Sequence, residues 1–236
     1  MNAMEKSIAL ATSLFSWRRG WRPRLSQERI VLIIALAMFL VFSATLPQFG
    51  TAGNLVSLVQ SVAILGVLSV GMSIVIIGRG IDLTMVTTMA ISVGWVFSEI
   101  NKGSSTDVAF AMGLGFALLV GVINGVLIAY VEIPAIFATL AMSSVVYGLG
   151  HFALVDNDAI FVGDQLPGFK ALGAGYLFGI PASVIWFALV AAAAYGFLRF
   201  VKLGRFIYAM GDTPLAARVA GIPIRPMIVL QYTISA

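Results

Sequence analysis

The chain has 236 residues, 60% of them hydrophobic and 10% charged, with a mean hydropathy of +1.03 and a net charge of +4. Soluble domains carry about 25% charged residues, so this chain has too few polar side chains to cover a water-facing surface and is expected to be a polytopic membrane protein. The absence of cysteine removes disulfides and thiolate metal sites, a single histidine (His151) removes HExxH zinc chemistry, and no Gly-Lys pair or GxGxxG run exists to cradle nucleotide phosphates.

A spanning helix needs about 20 mostly apolar residues. The stretches that qualify in chain order are 30–46, 55–77, 83–98, 108–131, 133–155 and 180–198, with a seventh beginning near Met227 and reaching Ala236. The predicted fold is therefore all-α, with six complete transmembrane helices and the start of a seventh. Pro134 and Pro181 sit where spans begin, at first-turn positions that have no amide bond to lose. A cytoplasmic N-terminus places Lys6, Arg18, Arg19, Arg22, Arg24, Arg29, Arg79, Arg199, Lys202, Arg205, Arg218 and Arg225 inside and leaves only Lys102 and Lys170 outside. The basic charge then reads as topology and contact with anionic membrane lipid, and no nucleic acid is expected as a partner. Residues 1–29 form a basic interfacial segment with Trp17 and Trp21 among the arginines. A cleaved signal peptide ending at Phe42-Ser43-Ala44 is the rival reading, and the long basic region disfavours it. Residues 30–236 form the membrane domain, with an inner loop at 200–226.

Polar residues inside spans are the functional candidates. The second span carries Ser57, Gln60, Ser61, Ser69 and Ser73 with Gly66 and Gly71. That face suits a solute path, although packing through small residues explains it at least as well. It ends in Gly78-Arg-Gly-Ile-Asp-Leu-Thr84, where glycines permit irregular backbone at membrane depth. Asp82 there is either functional or one half of a helix-ending ion pair with Arg79, and the spacing fits both. Gly121-Val-Ile-Asn-Gly125 in the fourth span is a GxxxG expected to pack closely, with Asn124 bonding across helices. His151, Met142, Ser143 and Ser144 read as structural, because no base stands near a nucleophile. In the inner loop, Gly211 and Asp212 are expected to form a turn and N-cap. Pro214 then opens a short helix over Leu215–Ala220 that Gly221 and Pro223 end. Leu215 and Val219, with Arg218 at the rim, suit docking into a partner's groove.

Four stretches carry a family resemblance. "GDTPLAARVAGI" is similar to the coupling-loop signature of permease subunits of ABC importers for ribose and related simple sugars. Ala216, Ala217 and Gly221 match its Glu-Ala-Ala and Gly positions, and Leu215 replaces the Glu. "ILGVLSVGMSIVIIGRGIDLT" resembles the same family's stretch, with Arg79 where a small residue is common. "GVINGVLIAYVEIPAIFATLAM" and "GRFIYAMGDTP" are the third and fourth matches, so the likeness runs from about Ala52 to the end.

The resemblance implies a permease without catalytic residues, a cofactor or a metal of its own. It sits in a bacterial inner membrane and imports a sugar or sugar-like solute. The implied partners are a periplasmic solute-binding protein, a second permease subunit and a cytoplasmic ABC ATPase that holds ATP and Mg. The path candidates are Gln60, Ser61, Ser69, Ser73, Arg79, Asp82 and Asn124; the ATPase-coupling candidates are Gly211, Asp212, Pro214, Leu215, Ala216, Ala217, Arg218 and Gly221. Bulk at Ala217 or Gly221 is expected to block docking of the ATPase. Family members continue through further spans, so a C-terminally truncated, non-transporting remnant stands as an alternative. A secondary carrier is a weaker one, lacking intramembrane carboxylates and inverted repeats. An intramembrane hydrolase is weaker still, with one imidazole.

Overall fold

The computed structural model describes residues 26–155, 173, 175–177 and 179–236, and every structural statement below concerns these. The helices are α1 (Gln27–Thr45), α2 (Ala52–Ile77), α3 (Met85–Asn101), α4 (Thr106–Ala129), α5 (Ala135–Ala153), α6 (Ala182–Phe200), α7 (Lys202–Asp212), α8 (Pro214–Val219) and α9 (Ile224–Ser235). The basic N-terminal residues through Arg24, and the acidic residues Asp156, Asp158 and Asp164 with Lys170, lie outside the described residues. Five helices, α1, α2, α4, α5 and α6, are long and apolar enough to cross a membrane. With the regular structure almost entirely helical, the chain is an all-α, multi-pass membrane protein.

Two compact units divide between Leu55 and Val56. In the first, α1 buries none of its residues. Phe39 and Phe42 both set their rings 5.6 Å from Phe49, and Asn54 Nδ2 donates to the Phe49 carbonyl at 2.8 Å. A helix with a mean hydropathy of 2.0 and no buried side chain presents an apolar surface suited to lipid.

The second unit is organised around α4. Ile91 of α3, Val120 of α4, Val146 of α5 and Val155 form one core, which Trp95 and Phe116 extend edge to face at 6.0 Å. A second cluster joins Val96 and Ile100 of α3 to Ala109 of α4. The Gly121–Gly125 pair packs as expected. A Cβ at Gly121 would lie 2.7 Å from the Thr233 Cα, and one at Gly125 would lie 2.5 Å from the Val229 Cα. The α9 backbone thus rests directly on α4.

Three sequence expectations are corrected. Residues 202–212, read as part of a loop, form α7: Leu203, Phe206, Ile207 and Met210 recur at helical spacing, and Gly204, Ile207 and Met210 are buried. Asp212 is therefore the last residue of α7, and Thr213 stands at the N-cap of α8 without a side-chain cap bond. Residues Tyr176–Leu177 and Ile180–Pro181 make a two-residue antiparallel pair, turned by Gly179 at φ +77. Ile180 and Pro181, expected as the first residues of the sixth span, belong to this pair, and the helix starts at Ala182.

Candidate functional site

The polar residues converge where α2 stops. Its last turn closes in a Schellman motif, with the Arg79 amide bonding the Ile76 carbonyl at 2.9 Å and the Gly80 amide bonding the Val75 carbonyl at 2.8 Å. Arg79 takes the left-handed position of that motif (φ 63), which glycine usually occupies. Beyond it, Asp82 is fully buried and folds an Asx-type turn: its Oδ1 accepts the Thr84 amide at 3.0 Å and the Thr84 hydroxyl. Thr84 in turn opens α3 and accepts Asn124 Nδ2 of α4 at 2.8 Å. The Ile81 carbonyl receives Tyr232 OH of α9 at 3.3 Å and Thr139 Oγ1 of α5 at 3.4 Å. One non-helical break is thus fixed by three helices, which bury Asp82 and Thr84 and leave the Ile81 and Leu83 side chains exposed.

The expected Arg79–Asp82 pair is replaced. The Arg79 guanidinium donates instead to the Asp212 backbone carbonyl at 2.6 Å, at the C-terminal end of α7. The carboxylate is served by amide and hydroxyl donors, which lets the arginine turn outward. In the break and on the helices around it, Asp82 Oδ2, Thr88 Oγ1 of α3, Asn124 Oδ1 of α4 and Gln231 Oε1 of α9 are buried without a hydrogen-bond partner. Such a set of acceptors can take hydroxyl or water donors and offers no nucleophile.

The structure brings Asp82 and Asn124 together and leaves the other path candidates apart. Ser61, Ser69 and Ser73 are exposed on α2 and spend their hydroxyls on the carbonyls four residues back, at 3.0, 2.8 and 2.7 Å; Gln60 is half-buried on the same helix. Sequence reasoning missed Thr84, Thr88, Thr139, Gln231 and Tyr232, all buried. Thr84 and Thr88 share a face at a spacing of four, a signal available in the sequence. Gln231 and Tyr232 sit in a short terminal segment and gave none. Ser143 Oγ lies 2.6 Å from Thr87 Oγ1 and ties α5 to α3, while the Tyr147 ring stacks on His151 at 5.8 Å. An apolar cavity of about 730 Å³ lies between α2, α3, α4, α6 and α9, among them Ile74, Met85, Phe110 and Phe197.

At the same C-terminal end of α7, local bonds hold the coupling candidates in place. Gly211 packs its Cα face against the Ile77 carbonyl, closing α7 onto the end of α2. Pro214 starts α8, and Gly221 (φ +82) ends it in a second Schellman motif: the Gly221 amide bonds Arg218 and the Ile222 amide bonds Ala217, both at 3.0 Å. Ala217 is 4% exposed, whereas Leu215 and Val219 are 72% and 83% exposed, beside an exposed Ala216 and Arg218. Bulk at Ala217 would therefore disturb the seat of α8 on the chain before it touched any partner. Past α8, Arg225 pairs with Glu132 at 2.9 Å and lies over the Tyr130 ring at 5.6 Å.

A family model described as "Branched-chain amino acid transport system / permease component" matches residues 54–236. The ribose import permease protein RbsC of Escherichia coli K12 is 28% identical over 227 residues, 95% of this chain and 70% of RbsC. The L-arabinose ABC transporter permease protein AraH of Azospirillum brasilense is 33% identical over 207 residues, 87% of this chain and 60% of AraH. The fructose import permease protein FrcC of Rhizobium meliloti is 30% identical over 218 residues, 87% of this chain and 58% of FrcC. No solved structure matches. The matched residues contain the break after α2, the glycine-packed α4 and the α7–α8 segment, and the chain accordingly belongs to the family of branched-chain amino acid transport system permease components, as a membrane permease subunit of an ABC importer.

Proposed function

We propose that the chain moves a simple sugar or sugar-like solute inward across a bacterial inner membrane, taking it from a periplasmic binding protein. It would work with a second permease subunit and a cytoplasmic ABC ATPase that binds the ATP and Mg. The relatives named for ribose, L-arabinose and fructose support a sugar over an amino acid. The N-terminus lies inside, and α1 to α6 are the six spans, with α3 (17 residues) the shortest and α9 the start of a seventh. On this reading residues 1–29 are a basic interfacial segment and residues 30–236 the membrane domain, with α7 and α8 inside the cytoplasmic stretch 200–226. The solute path runs along the α2 face of Gln60, Ser61, Ser69 and Ser73, with Asp82 and Asn124 at its inner end offering acceptors to hydroxyl groups.

The observation that carries the reading is α8: a six-residue helix, closed at its end and seated through Ala217, that holds two large apolar side chains in the open. A helix with a buried seat and an exposed apolar face fits a groove on a partner. Isolation of the tagged chain from its native membrane in mild detergent, followed by mass spectrometry, is expected to recover an ABC ATPase. The double variant Leu215→Asp/Val219→Asp is expected to lower ATPase recovery at least tenfold with an unchanged Tm, and Ala217→Leu to lower the Tm. No ATPase with the wild type, or full recovery with the double variant, would refute the reading.

A further inference from the structure

Among the described residues, only Arg79 and Glu132 are non-glycine residues at positive φ, each at 63. Both stand where helices end at the same side of the chain, Arg79 after α2 and Glu132 after α4. Glycine would hold either turn with less strain, so a side chain kept there points to a use for it. The neighbours sharpen this. A side chain at Gly78 would collide with Gln231, and one at Gly80 with Tyr232, so position 79 is the one place in that turn with room for a side chain.

Both side chains reach the same segment. Arg79 donates to the Asp212 carbonyl, two residues before α8 begins, and Glu132 accepts from Arg225, six residues after it ends. The Asp212 carbonyl is among the last four of α7, where the helix dipole favours a cation and no intrahelical donor remains. We infer that Arg79 and Glu132 are positioning residues, a two-point harness that fixes the segment carrying α8 to the ends of α2 and α4. Movement of α8 is thereby delivered to the Asp82 break at one anchor and to the glycine-packed helix α4 at the other. The inference rests on the proposed docking of an ATPase at α8, but the harness itself exists without the ATPase.

The chain contains no cysteine, so introduced thiols are its only labelling sites. Spin-label pairs at Leu83→Cys/Tyr208→Cys and at Ile136→Cys/Ala220→Cys report the two anchors, in the full chain in lipid nanodiscs. Wild-type backgrounds are expected to give narrow distance distributions. Arg79→Gly and Arg79→Ala should broaden the first at least twofold, and Glu132→Gly the second, each without affecting the other pair. Arg79→Lys should keep the first narrow, since a lysine still caps the helix end. The glycine variants relax the strained turns, so their Tm is expected to stay equal or rise, which a merely structural role would not produce. Mixing labelled chain with unlabelled ATPase and ATP-vanadate should leave the wild-type distances fixed and shift those of the glycine variants. Unchanged widths in the glycine variants, or broadening with a fall in Tm, overturn the harness. Failure to bind any ATPase would instead overturn the proposed function, and the nucleotide-free widths would still decide the harness.

Discussion

Replacing Gly125 by alanine tests the load on the α4–α9 contact. The new Cβ would lie 2.5 Å from the Val229 Cα and 3.1 Å from its carbonyl oxygen. Carbon atoms in contact rest at about 3.5–4.0 Å, so α9 has to retreat by about 1 Å, because backbone cannot rotate away as a side chain can. That retreat draws Tyr232 from the Ile81 carbonyl and uncovers the buried Asp82 turn. Overpacking of this kind costs about 1–3 kcal/mol, and the strained or lost hydrogen bond adds about 1. Gly115 lies on the same helix with nothing within 4 Å of its Cβ position. There alanine replaces a poor helix former and is expected to be neutral or to stabilise by about 0.5–1 kcal/mol. The same chemical change thus has opposite signs ten residues apart. Thermal unfolding of both variants in one detergent, followed by size-exclusion fluorescence, is the assay. Equal midpoints for the two variants would refute the backbone-to-backbone packing of α4 and α9.

Two smaller outcomes follow from the same geometry. Asp82→Ala removes the acceptor for both the Thr84 amide and hydroxyl and should destabilise by about 1–3 kcal/mol, whereas Asp82→Asn keeps one carbonyl oxygen for them and should cost less; equal losses for the two in thermal unfolding would show that charge, not acceptance, matters here. Arg225→Ala breaks an ion pair whose side chains are 50% and 71% exposed, so the Tm should barely move, in keeping with the about 0–1 kcal/mol of solvent-exposed pairs; a large loss of stability would mean that Glu132 holds more than this one partner.

The parts of the fold set by local pattern were legible in the sequence. Long apolar runs located the long helices to within a few residues, because a helix in lipid needs apolar length and little else. Pro214 and Gly221 marked α8 at both ends, and Gly121 and Gly125 marked the close contact on α4. The site was legible only in part. Asp82 stood out as a carboxylate in an apolar stretch and bonds Thr84 two residues on, but the side chains that fix its turn, Asn124 on Thr84 and Tyr232 on Ile81, come from 40 and 151 positions away, which no local spacing encodes. Arg79 looked like its counter-ion because three residues separate them. A left-handed turn sent the guanidinium the other way, and backbone handedness at a non-glycine residue leaves no mark in the sequence. Helix α7 was missed for a different reason: its two glycines and several charges resemble a loop until the burial of Ile207 and Met210 reveals a one-sided helix.

The brevity of α3 has a bearing on the lipid around it. Its 17 residues rise only about 25 Å, against a hydrocarbon core of about 30 Å. A lone helix that short would pinch the bilayer or tilt its neighbours. If α3 is one of the proposed spans, the missing length is supplied by the non-helical residues between Gly80 and Thr84, whose Thr84 hydroxyl and Ile81 carbonyl are bonded by side chains from α4, α5 and α9. Under the proposed six-span arrangement the mismatch is absorbed inside the protein, at a turn whose carboxylate is buried. Thickness changes between membranes should then register at the ends of α4 and α5, while the depth of the carboxylate relative to those helices stays constant.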